Sequence, residues 1–471
     1  MVGLFNILSM AGQSLDVQQE ATAIAGQNLA NVNNPAYSRQ SLEIQAAISI
    51  QTPIGQEGTG VESIGITQVR SALLDSQIQG EASATGSLTT QQNVLENAET
   101  DLDEQLSGAA SGTGATSASS SGLSADLTKM FGYLQTLSTD PSNVSDRSTV
   151  IQSAQAVAGQ LNQVSAGLTT LAAGMDSSIE SDVTGSNQDL TQIAALNQQI
   201  IQAKSSGGSA NDLVDLREKT LEDLAGKVGF TTTAQPDGAT NISIGGVAMV
   251  AGGTVVDSLQ TYANSSGHLL VQDQNSSAPL ALTGGSIEGA ITARDGALAN
   301  LQSSLNTLAA QLITQVNTVY AGGYDLKGNT GQNFFTGTDA ATIGVNSTLV
   351  ADPSTFQAAG VAGASGDNTV VSALAQLANQ PMAGLNNQTF SQNYAATVGS
   401  FGSSLQTVNE QLTNSNAVSQ MLTTQRDSLG GVNTDTEMTN LMQFQKAYEA
   451  SAEMITTVNQ MLETVLSMKT V

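Results

Sequence analysis

The sequence predicts an α+β chain shaped as an elongated multidomain rod, in which a terminal helix pair and a long-helix bundle enclose a β-rich insertion. Three observations carry this reading. Apolar residues recur at helical spacing over long stretches at both ends and through much of the interior. At 230–290 that pattern gives way to short apolar runs between glycine-rich turns. The order is also nested: helical ends enclose a helical layer, which encloses the β-rich part. N- and C-terminal segments of like type must then pair across the whole sequence, and the simplest solid is a rod with both termini at one end.

At the N-terminus Leu4, Leu8, Ala11, Leu15, Gln18, Thr22, Ala25, Leu29 and Val32 form a weak stripe that predicts a helix over 3–32. Asn33-Asn34-Pro35 ends it, because proline disfavours helical geometry in the residue before it. Alternating runs at 41–70 read as a short β segment, with Pro53-Ile54-Gly55 as its turn. Helix resumes near Leu73 and runs towards Leu106; the low-complexity stretch 107–122 reads as a flexible loop. Leu123 to Leu137 is helical again, and Asp140-Pro141-Ser142 is a turn. From Ser145 to about Ser205, Leu161, Val164, Leu168, Leu171 and Met175 form one stripe that Leu190, Ile193, Leu196 and Ile200 continue. Asn211 is expected to cap a further helix ending at Val228. Pro236-Asp237-Gly238, Gly245-Gly246, Gly252-Gly253 and Gly284-Gly285 then mark turns between strands. Helix returns at about 292 and stops at Gly322-Gly323, 324–389 is irregular, and two helices separated by Gly430-Gly431 close the chain.

The C-terminal stripe is the stronger of the two: Leu441, Phe444, Tyr448, Ser451, Ile455, Val458, Leu462 and Val465, widened by Met454, Met461 and Met468. Four domains follow: 1–40 with 432–471 as a coiled-coil-like terminal domain; 41–229 with 291–323 and 390–431 as a helical bundle; 230–290 as a β-rich domain; and 324–389 as a variable segment. Both ends are net acidic. Residues 1–38 hold Asp16 and Glu20 and no base, so apolar burial rather than charge must join the ends.

The 471-residue chain has 39% hydrophobic residues and only 11% charged ones, less than half the usual share of about 25%. Its net charge of −27 repels phosphate backbones and anionic headgroups, and no basic cluster offsets that. With no cysteine, neither a disulfide nor a thiolate metal site can form. No apolar run reaches the roughly 18 residues a membrane helix needs. The first base is Arg39 and no compact apolar core precedes a cleavage site, so no cleavable signal peptide is expected.

Chemistry is hard to place in this sequence. His268 is the sole histidine, which rules out an HExxH or three-histidine zinc site. Glu96, Glu99, Asp101, Asp103 and Glu104 fall around a helix rather than on one face, as a solvated surface does. Asp325-Leu-Lys-Gly-Asn329 faintly resembles the start of a calcium loop, but Lys327 replaces a ligand and no downstream glutamate fits, so a β-turn is expected. No catalytic residue, cofactor or metal is assigned.

Two terminal segments carry a family likeness. Asn28-Leu-Ala-Asn31-Val-Asn33-Asn34-Pro35-Ala36-Tyr37-Ser38-Arg39-Gln40 resembles the signature of bacterial flagellar axial proteins. The Tyr-Ser-Arg-Gln ending, with Val432-Asn433-Thr434-Asp435-Thr436-Glu437 and 440–452, resembles the FlgK family of hook-associated proteins in particular. Asn211 to Glu218 and Gly323 to Asn329 add to the likeness, which fades at 336–389. The family usually has Gly where Ala36 stands and Thr where Asn34 stands; glycine there would permit a positive φ after the proline.

The resemblance implies a non-catalytic subunit of a ring between hook and filament. Its partners would be copies of itself, the hook protein, a second hook-associated protein and an export chaperone on the C-terminal region. It implies export by the flagellar type III route to the cell exterior. The contact residues expected are Leu4, Leu8, Leu15, Leu29, Val32, Leu441, Phe444, Tyr448, Ile455, Val458, Leu462 and Val465. Another axial subunit of hook or filament type, and a secreted adhesin with flagellar-type ends whose β-rich part binds glycans, are the alternatives.

Overall fold

A computed structural model describes residues 2–52, 55–102 and 122–468. The first helix, α1 (Val2–Ala30), leads into a long hairpin in which β1 (Gln40–Ala46) pairs antiparallel with β4 (Val61–Gln68). Its tip is formed by β2 (Ile50–Thr52) and β3 (Gly55–Glu57). The register steps between Glu43 and Ile44, which leaves Ile64 as an extra residue on β4. The hairpin runs back along α1, so that Gly60 approaches Met10 and Gln13. Ala36 is not among the positive-φ residues. The turn after Pro35 is closed instead by the Asn34 side chain, which accepts the Ala36 amide at 3.2 Å.

The body follows as α2 (Ala72–Leu102), α3 (Leu123–Leu137), α4 (Val144–Ser205) and α5 (Asn211–Lys227). The loop expected at 107–122 falls outside the described residues except for Gly122, as do Asp103 and Glu104. Asn143 caps α4 by accepting the Ser145 and Asp146 amides. At 62 residues α4 is roughly 93 Å long, whereas a compact sphere of this chain length is about 60 Å across. That length makes the molecule elongated. The expected cap at Asn211 is not made. Ala210, in the left-handed region, precedes α5, and the Asn211 side chain instead donates its Nδ2 to Ile66 O at 3.1 Å.

A four-stranded antiparallel sheet holds β5 (Thr231–Ala234), β6 (Thr240–Ile244), β7 (Val247–Ala251) and β8 (Thr254–Val255) in sequence order. A separate hairpin joins β9 (Leu259–Ala263) to β10 (Leu269–Asp273). The strand pattern expected to reach 290 stops short of it, because helix α6 (Gly285–Thr292) begins at the second glycine of the pair read as a strand turn. Gly285 has φ +82°, and a Cβ there would lie 2.3 Å from backbone atoms of Lys227 and Val228. Close passage beneath α5 demands glycine at that position.

A π-helical turn at 293–298 joins α6 to α7 (Ala299–Tyr320). The segment read as irregular holds β11 (Phe335–Thr336), β12 (Gly344–Val345), α8 (Ser347–Ala351) and α9 (Thr369–Gln376). Edge-to-face contacts of Tyr320 with Phe334 and Phe356, both at 5.3 Å, order it. Arg147, 1% exposed, ties it to α4 by donating to Pro141 O and Phe356 O. The turn at Asp325 is local: its carboxylate accepts the Lys327 and Asn329 amides at 2.7 and 2.8 Å.

Helices α10 (Phe390–Gly430) and α11 (Thr434–Met468) end the chain. One continuous apolar core runs from Val94 through α3, α4, the sheet, α7 and the 334–390 segment to Val408. Neither α1 nor α11 contributes to it.

Candidate functional site

The two terminal helices lie against each other and run antiparallel. Asn28 Nδ2 donates to Glu437 Oε2 at 3.2 Å, and the Ser14 and Ser451 hydroxyls meet at 3.1 Å. The spacing between these contacts is equal on both helices (28 − 14 = 14 and 451 − 437 = 14), so the register holds over four turns without a slip. Ala11, Ala21 and Ala25 form much of the buried seam on α1 with Val17, Ile24 and Asn28. Their small side chains admit a close partner. On α11 only Glu437, Ser451 and Val458 are buried.

Leu4, Leu8, Leu15, Leu29 and Val32 are half-buried, as are Leu441, Phe444, Ile455 and Leu462. Val458 is buried, whereas Tyr448 and Val465 are exposed. The buried line on α1 drifts from the stripe read in the sequence, passing through Ala21, Ile24 and Asn28 rather than Thr22 and Leu29. A polar residue, Asn28, occupies its end. Apolar spacing could not indicate that; only the motif around Asn28 could.

Where α1 meets the body, three of the four motif segments of the sequence converge. Asn28, fully buried, bridges its own turn by donating to Gln40 O at 2.9 Å while its Oδ1 accepts the Gln40 amide and the Tyr37 hydroxyl at 3.0 and 2.8 Å. Arg39 Nε donates to Glu437 Oε1 at 2.7 Å, which ties the N-terminal motif to the start of α11. Asn433 caps that helix by accepting the Thr436 amide. The Arg39 amide also donates to Gly430 O at 2.8 Å.

The third segment enters from α5. Asp215 accepts the Ser38 amide at 3.1 Å, Gln68 Nε2 at 2.6 Å and Arg70 Nη1 at 2.8 Å. Asp212 accepts Gln40 Nε2 at 2.7 Å, and Arg70 Nε reaches Asp75 at 2.7 Å. Burial outweighs these donors, with Asp212 adding repulsion, and pushes the Asp215 carboxyl up to about 6. Burial first, then Asp212, Asp215 and Glu437, pushes the Tyr37 hydroxyl up to about 12, which keeps it a neutral donor to Asn28. Of the motif residues, Asn28 and Ser38 are buried, Asn31, Tyr37 and Arg39 half-buried, and Asn33 and Pro35 exposed. Arg70 lies in none of the motifs.

A second feature is an open cleft of about 980 Å³ among α4, the β9–β10 turn and α7. Asp176, His268, Arg294, Gln302 and Asn306 line it, and among the described residues no Phe, Tyr or Trp does. His268 Nδ1 lies 3.2 Å from Asp176, and Arg294 spends its guanidinium on Asp176, Asp295 and Leu269 O. These groups clamp the hairpin to α4. Among the described residues no group of three or more His, Asp or Glu is placed to hold a metal ion, and no helix is long and apolar enough to cross a membrane.

The sequence matches the family of the flagellar hook-associated protein FlgK helical domain over residues 114–335. Over residues 429–468 it matches the flagellar basal body rod FlgEFG protein C-terminal family, a span that contains α11. It is similar to flagellar hook-associated protein 1 of Bacillus subtilis strain 168, at 28% identity over 99% of both chains. The protein of that name from Salmonella typhimurium is 24% identical over 98% of this chain and 100% of its own length. A solved structure, the flagellar hook junction protein FlgK from Burkholderia pseudomallei, is similar over 55% of this chain and 46% of that one, at 25% identity and a TM-score of 0.48.

Proposed function

We propose that the chain is a member of the FlgK family of flagellar hook-associated proteins and a structural subunit of the bacterial flagellum at the junction of hook and filament. It assembles outside the cell through its terminal helices, as a binding element and not an enzyme. The observation that carries this reading is the one-sided burial of α11. A 35-residue helix that buries three side chains leaves most of its apolar surface for partners, and such a surface is the mark of an interface.

The partners proposed are neighbouring copies of this chain in a ring, the hook protein below, a second junction protein above, and an export chaperone that covers α11 beforehand. The polar knot at Asn28, Arg39, Asp215 and Glu437 sets the direction in which the terminal pair leaves the body. The test is the double variant Leu441→Asp, Ile455→Asp, expressed in a strain lacking the native subunit. Both positions are half-buried at the terminal seam, away from the continuous core, so the melting of the body should persist in the purified protein. The expected result is an intact hook, no filament and no motility. Normal swimming would overturn the proposal.

A further inference from the structure

The twelve methionines divide sharply by position. Met130, Met175, Met249 and Met382 are buried and Met10 is half-buried. Met421, Met438, Met442, Met454, Met461 and Met468 are exposed, from 43% to 76%. Every exposed methionine among the described residues therefore lies at the end of α10 or along α11. Met454, Met461 and Met468 recur every seven residues, beside the line of Ser451, Val458 and Val465. A thioether is apolar, polarisable and flexible, which suits a face that must fit irregular partners. In a chain without cysteine it is also the group that mild two-electron oxidants attack most readily.

We propose that this methionine face is an oxidant-sensitive modification site that closes the subunit to assembly. A peroxide transfers one oxygen to the thioether: the O–O bond breaks, an S–O bond forms, sulfur loses two electrons to become the sulfoxide, and the peroxide leaves as water. Each event places a strong acceptor on a surface that would otherwise enter an apolar contact, where an unpaired polar group is costly. The buried methionines escape because peroxide does not reach their sulfurs. The site itself follows from exposure alone. Its consequence for assembly rests on the proposed function.

The test uses the full-length purified chain, graded hydrogen peroxide and peptide mass mapping. The six exposed methionines should gain oxygen at least about tenfold faster than Met130, Met175, Met249 and Met382; equal rates would overturn the site. Oxidised and untreated protein are then incubated with isolated hooks from a strain lacking the subunit, and sedimented. Oxidised protein should lose most of its co-sedimentation and regain it after methionine sulfoxide reductase. A variant with all six replaced by leucine, a volume-conserving change, should co-sediment equally before and after peroxide. Undiminished binding by the oxidised protein, or equal loss in the leucine variant, would overturn the switch. Failure of the untreated protein to co-sediment would instead count against the proposed function, while the mapping still decides the site.

Discussion

Removing either partner of the Arg39–Glu437 pair should loosen α11 from its root, and by unequal amounts. The Glu437 side chain is 2% exposed and that of Arg39 is 31% exposed. Breaking a fully buried pair costs about 3–5 kcal/mol, because one charge is left without water or partner. In Glu437→Ala the stranded charge is Arg39, which water reaches, and Asn28 keeps its bond to Gln40 O at 2.9 Å. The expected cost is therefore lower, about 2 kcal/mol, or roughly thirtyfold in the opening constant. In Arg39→Ala the stranded group is the buried Glu437 carboxylate, which among the described residues keeps Asn28 Nδ2 at 3.2 Å as its one side-chain donor. That variant should lose about 3 kcal/mol. The double variant strands neither charge, so the cycle should yield a coupling of about 1–2 kcal/mol. Native-state hydrogen exchange at α11 amides near Glu437 measures these openings, and amides of the α4 core around Ile193 serve as the control. Additive single effects, or an equal loss of protection in α4, would refute the reasoning.

Two further outcomes follow from the body. Asp215 titrates near 6 when folded against 3.8 ordinarily. Between those values the folded chain holds a proton that the unfolded chain has released, so this group's stabilisation is present below the lower value and lost as pH rises through the upper one. The stability of the wild type relative to Asp215→Asn should fall over that window in equilibrium urea titrations, and parallel profiles would contradict the assignment. A Cβ at Gly289 would lie 2.3 Å from Ser87 O, where α6 crosses α2, whereas one at Gly159 on α4 meets nothing within 4 Å. Gly289→Ala should destabilise by about 3 kcal/mol and Gly159→Ala should stabilise by up to about 1 kcal/mol; calorimetric melting separates the signs.

Helices were legible wherever apolar spacing was long. Leu161 to Met175 and Leu190 to Ile200 identify α4 with its ends within a residue or two, because the periodicity persists over many turns. Gly284-Gly285 misled for a physical reason: paired glycines signal a permissive backbone, but not whether that freedom serves a hairpin or a helix start pressed against Lys227 and Val228. The 324–389 segment lacks periodicity, and its order comes from Tyr320, Phe334 and Phe356 meeting across the fold.

The sequence by itself determined the α+β class, the helical ends and the motifs at 28–40, 211–218 and 432–437, since each is a local pattern of side chains along one segment. Only the tertiary structure decided that those motifs meet, with Ser38 reaching Asp215 across 177 residues and Arg39 reaching Glu437 across 398. It also decided which line of α1 is buried, and that α11 is covered along one line alone. Spacing records which faces are apolar; which of them find a partner within the chain depends on packing, and packing leaves the methionine face of α11 uncovered.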